Sequence, residues 1–177
     1  MTEKKPDIRY RVEKKLDASP DAIYAVLSDP NVSLGWAGEE APFIFRLKDL
    51  DAPSGQLGVG ATWTSTGKVG YFKMQDRSTV VIADPGRAFG FDTESTIPRK
   101  ISKTWLGRFE SRYTIRPDGT GSIVEYTCDG YATSYVPFMW WPVVFKPMTH
   151  MMFTMMIKKT VKNLGRQAAA KGAVRAA

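Results

Sequence analysis

The stretch IYAVLSDPNVSLGW at positions 23–36 decides how the rest of the chain is read. Just ahead of it, Ser19 precedes Pro20 and Asp21 in the manner of an N-cap and first helical turn. Ile23, Val26 and Leu27 then form an apolar stripe at helical spacing that stops at Asp29-Pro30. This pattern predicts a short helix over about residues 20–28 and a second short helix or turn reaching Trp36. Upstream, Ile8, Tyr10, Val12 and Leu16 share one parity, while Arg9, Arg11, Glu13 and Lys15 share the other. That alternation belongs to a half-buried antiparallel strand.

Downstream the chain reads as strands broken by turn chemistry. Phe43, Phe45 and Leu47 alternate before the turn-rich DAPSGQLGVG at 51–60, and a strand over 61–66 is followed by a hairpin connection at 67–70. Longer strands are expected over 71–83 and 88–95, separated by Asp84-Pro85-Gly86. Trp105, Phe109, Tyr113 and Ile115 share a parity beyond Pro98, and PDGTG at 117–121 turns the chain into a strand over 123–131. A helix is expected from about 142 to 169. Its first part is apolar enough to raise the question of a membrane span, but Pro137, Pro142, Pro147, Lys146 and His150 argue against one.

Taken in order, these pieces resemble the helix-grip superfamily of START-related lipid carriers, birch-pollen-type allergens and polyketide cyclases. The resemblance rests on Ala18-Ser19-Pro20 with Ile23-Tyr24 and Leu27-Ser28-Asp29, on Gly58-Val59-Gly60-Ala61, on Ala83-Asp84-Pro85 and on Gly119-Thr120-Gly121. It implies an α+β fold in which a curved antiparallel sheet wraps a long C-terminal helix, with two short helices after the first strand. It also implies a cavity between sheet and helix that holds an apolar or amphipathic small molecule, lipid-like or polyketide-like. The superfamily includes enzymes as well as carriers, so fold alone does not choose between them.

Composition narrows the field. A chain of 177 residues accommodates one domain, expected to have its core at about 8–169 and a basic, flexible tail at 170–177. The single Cys128 excludes an internal disulfide, and the charged start MTEKKPDIRYRVEKK does not read as a secretory signal, so the expected location is cytoplasmic. The net charge of +7 is concentrated at the ends, in Lys4, Lys5, Arg9 and Arg11 and again in Lys158, Lys159, Lys162, Arg166, Lys171 and Arg175. No aromatic-and-basic motif accompanies them, so nucleic acid is not an expected partner. Phosphate-loop, dinucleotide and nucleophile-elbow motifs are absent from the sequence, and one His with one Cys cannot supply a His/Cys metal cluster. Neither metal nor cofactor is expected.

Two titratable residues are candidates for chemistry. On a helical wheel His150 falls with Val143, Phe153, Ile157, Val161 and Leu164, the face expected to pack on the sheet. It reads either as a satisfied core histidine or as a group contacting the ligand. Asp76 shares parity with Phe72, Met74, Val80 and Ile82, which sets a carboxylate among apolar neighbours unless a bulge turns it outward. Lys14 is expected at a cavity mouth with its stem buried. The expected ligand wall comprises Trp36, Trp63, Phe72, Met74, Asp76, Phe91, Trp105, Phe109, Tyr113, His150 and Phe153.

Three functions are therefore carried forward. The first is a carrier of an apolar small molecule; the second is a cyclase, aromatase or dehydratase in which His150 or Asp76 moves protons. The third is a peripheral membrane-docking module using Trp140, Trp141 and the methionines ahead of a lysine-rich helix. Met148, Met151, Met152 and Met155 fall away from the face of Ile157, so another surface is expected to cover them, a homodimer first.

Overall fold

A computed structural model of the chain describes residues 5–32, 45–69, 72–97, 105–132 and 145–176. Strand β1 (Ile8–Leu16) leads to helix α1 (Pro20–Leu27) and a 3-10 turn (Pro30–Val32). Strands β2 (Phe45–Asp51), β3 (Thr62–Val69), β4 (Phe72–Asp84), β5 (Ala88–Ile97), β6 (Trp105–Asp118) and β7 (Gly121–Ala132) follow, and helix α2 (Phe145–Ala176) closes the chain. The strands form one antiparallel sheet in the order β1-β7-β6-β5-β4-β3-β2. Six of them run as a meander, and β1 returns to the free edge of β7. This is the helix-grip arrangement of an α+β fold.

Local chemistry sets the boundaries. The Ser19 hydroxyl accepts a hydrogen bond from the Ala22 amide at 3.3 Å, capping α1, and the Ser28 hydroxyl donates to the Tyr24 carbonyl at 2.8 Å where the helix stops. Glycines at positive φ, Gly86 (70°) and Gly119 (60°), turn β4 into β5 and β6 into β7. Strand β3 runs to Val69, past the break expected after residue 66. Helix α2 likewise continues past residue 169 to Ala176, since Gln167, Ala168, Ala169, Ala170 and Lys171 are all good helix formers.

The two faces of the sheet differ sharply. The outer face carries ion pairs such as Arg9 with Asp129 at 2.7 Å, Arg11 with Glu125 at 2.9 Å and Arg112 with Asp92 at 2.7 Å. The first two are solvent-exposed pairs that add little to stability, while Arg112 with Asp92 is part-buried. On the inner face, Val12, Leu16, Val80, Phe89, Tyr113, Ile115 and Val124 pack with Ile23, Val26 and Leu27 of α1 and with Ile157, Val161, Leu164 and Ala168 of α2. A register shift between Val80 and Ile82 leaves Val80 buried and Ile82 exposed. The inward parity expected for Ile82 is thus broken by a bulge, while Asp76, upstream of the bulge, stays buried.

Candidate functional site

Along the strands the inner face changes character. The end near α1 is the packed apolar core just described. At the opposite end, where β3, β5 and β7 finish and β4 and β6 begin, most buried positions are small or polar, namely Ser65, Gly67, Asp76, Ser78, Ser95, Gly107, Ser111 and Gly130, with Met74 buried opposite Gly67. Strand register gathers them into rows. Ser65, Asp76, Ser95 and Gly107 lie opposite one another across β3, β4, β5 and β6, and Trp63, Ser78, Thr93, Phe109 and Gly130 form the next row, which reaches β7. Small side chains occupy less of the interior than the large apolar ones of the other half.

An aromatic string marks the boundary between the halves. Trp63 meets Phe91 edge-on at a centroid separation of 5.1 Å, Phe91 stacks on Tyr113 at 6.5 Å, and Tyr113 contacts Tyr126 at 4.6 Å. The Phe109 ring lies over Gly130, where a Cβ would come within 3.2 Å of it.

Hydroxyl chemistry fills the small-residue half. The Ser95 hydroxyl donates to Asp76 Oδ1 at 2.6 Å, the Ser78 and Thr93 hydroxyls share a 2.8 Å bond, and Ser111 and Tyr126 share one of 3.1 Å. Asp76 is only 8% exposed. Burial pushes its carboxyl up to about 6, opposed by the hydrogen bond from Ser95. Burial also raises the Cys128 thiol, the Tyr10 hydroxyl to about 12, and the hydroxyls of Tyr113 and Tyr126. These groups stay neutral at physiological pH. Asp76 is the one poised to titrate near it.

Of the residues expected from sequence, Trp63, Met74, Asp76, Phe91, Phe109 and Tyr113 lie on or beside this half of the sheet. Phe72, Trp105 and Phe153 lie in β4, β6 and α2, with side chains outside the described residues, as is all of Trp36. His150 requires a correction. Ile157, Val161 and Leu164 are buried as the wheel predicts, but His150 is exposed, its ring 5.1 Å from that of Tyr10. The reason is position along the helix: among the described side chains of α2 the buried stripe begins at Ile157, and His150 lies ahead of it. Lys14 is half-buried on the same strand.

Sequence reasoning missed Ser65, Ser78, Thr93, Ser95 and Ser111. The signal was available, since Thr93 and Ser95 continue the inward parity of Phe89 and Phe91, but attention to aromatic residues passed over small ones. A surface hollow of about 380 Å³, lined by Asp51, Ala52, Pro53, Thr62, Trp63 and Thr64, lies at the β2–β3 edge. It shares only Trp63 with the expected ligand wall. Among the described residues no three His, Cys, Asp or Glu side chains gather to hold a metal, and no helix is long and apolar enough to cross a membrane.

A family model described as polyketide cyclase / dehydrase and lipid transport matches residues 7–169. The chain belongs to that family. Solved structures share the fold at low identity. A conserved protein from Geobacillus kaustophilus is 12% identical with a TM-score of 0.68, covering 92% of this chain and 96% of its own. A protein from Rhizobium leguminosarum is 10% identical with a TM-score of 0.65, covering 92% and 95%. The protein Ara h 8.0201 is 10% identical with a TM-score of 0.60, covering 92% and 98%. No curated protein matches the chain.

Proposed function

We infer that this protein binds a hydrophobic or amphipathic small molecule between the small-residue half of the sheet and α2. The observation that carries this reading is the division of the inner face. One half is filled by large apolar side chains; the other is built mostly of Ser, Gly and Asp76, with Met74, behind an aromatic string. Packing for stability alone favours large apolar residues at buried strand positions. Replacing them with small polar ones trades core packing for space and hydrogen-bonding groups, as a ligand site requires. Membership of a family described by lipid transport and polyketide cyclisation supports the same reading.

A carrier fits the site better than an enzyme. His150 stands over β1 and Asp76 on β4, with β7, β6 and β5 between them, so the two candidate proton-transfer groups do not share one reacting point. A single observation favours cyclase or dehydratase chemistry: Asp76 with its carboxyl near 6, a value suited to a general base at neutral pH.

Nile red titration tests the binding reading. The wild type should give saturable, blue-shifted fluorescence, and Ser78→Phe, which fills the floor, should weaken it at least tenfold while leaving the fold intact by circular dichroism. Absence of saturable binding in the wild type contradicts it.

A further inference from the structure

We propose that the ligand's polar end is a hydrogen-bond donor, an alcohol or phenol hydroxyl, received by the carboxylate of Asp76 between Ser65 and Ser95. This assignment rests on the binding reading above and names the chemistry of its polar subsite.

Asp76 sits within one row of the sheet, paired directly with Ser65 on β3 and Ser95 on β5. Beyond Ser95 the row continues to Gly107, which contributes no side chain. Across the strands the carboxylate is therefore flanked by short side chains. Ser95 donates to Oδ1 at 2.6 Å; among the described residues nothing is seen to donate to Oδ2. No described cation pairs with it either, because the ion pairs of the sheet join outer-face residues. A buried carboxylate with one oxygen unserved is costly, and the cost falls when a donor arrives. The raised carboxyl value is the electrostatic mark of the same deficit.

The neighbouring hydroxyls sharpen the choice of donor over acceptor. Ser78 and Thr93 share one hydrogen bond, as do Ser111 and Tyr126, so each pair has one acceptor already served by a hydroxyl of its own. The buried acceptor that no described group serves is Asp76 Oδ2. An anionic ligand would place like charge beside Asp76, and an ether or ester would offer only lone pairs.

The test uses three probes with one chain and different heads, decan-1-ol, decyl methyl ether and decanoate, competing with Nile red at pH 8. The alcohol should displace the dye at least tenfold more effectively than the ether, and decanoate should be weakest. Asp76→Leu should reduce the alcohol-to-ether preference below threefold while retaining Nile red binding; Asp76→Asn, with a neutral acceptor, should give an intermediate preference and serves if the leucine variant does not fold. An alcohol no better than the ether, whether both displace the dye or neither does, overturns the proposal and leaves the binding reading standing. So does decanoate binding most tightly, or a preference that survives in both variants. Failure of Nile red itself to bind removes the binding reading, and this assignment falls with it.

Discussion

At the scale of residues, Asp76 ties burial to pH. Its carboxyl is raised from 3.8 to about 6 by desolvation, so folding takes up a proton between those values. Protons bound by the folded chain and not by the unfolded one make stability fall as pH rises through this window. The penalty is complete above it and absent below about pH 4. Asp76→Asn removes the charge and keeps an acceptor for Ser95, so it should stabilise the protein at pH 8 by on the order of 1–3 kcal/mol. Thermal melts of the two proteins between pH 4 and 8 check this: they should diverge as pH rises, and parallel curves would show that the carboxylate is well solvated. Ser95→Ala deletes a bond to the charged form and should move the Asp76 midpoint above about 6, readable by carbon-detected NMR titration of the carboxyl.

Among the elements, α2 docks on β1 through a glycine. A Cβ on Gly165 would meet Leu16 at 2.7 Å from Cδ2 and 3.3 Å from Cβ, and Leu16 is itself buried. Gly165→Val should cost about 1–3 kcal/mol by overpacking, despite valine's better helix propensity, as measured by urea denaturation. A neutral result would place the helix farther from the strand. Strand and helix order was legible in the sequence because parity at Ile8–Leu16, the Ser19 cap and the Asp84-Pro85-Gly86 turn each act locally. What was not legible depends on longer-range geometry. The bulge after Val80 is set by pairing with β5, and His150 lies ahead of the buried stripe that begins at Ile157 among the described side chains of α2. A helical wheel reports an azimuth and not which strand lies beneath it.

For the whole molecule, the burial pattern of the candidate site was half legible. Asp76 and much of the aromatic set were readable from alternation, whereas the rows of Ser and Gly emerge only when four strands are put in register. The outer face of α2 raises the question of assembly. Met151 and Met155 are 58% and 63% exposed and lie on the same side as the exposed Lys158, Lys162 and Arg166. A homodimer would cover the methionine end, with the basic end splayed apart by like charge. Sedimentation velocity should then show a dimer that strengthens with added salt, and replacing both methionines by Glu should give a folded monomer. A wild type that sediments as a monomer at every salt concentration would remove the dimer.

The central claim is that the grip holds a small molecule, and native mass spectrometry of freshly purified protein, followed by solvent extraction, tests it most directly. The account predicts a population heavier than the bare chain by one small molecule, apolar in body and bearing a hydroxyl, which disappears in Ser78→Phe. A single peak at the mass of the chain alone, unchanged after incubation with decan-1-ol, would contradict it.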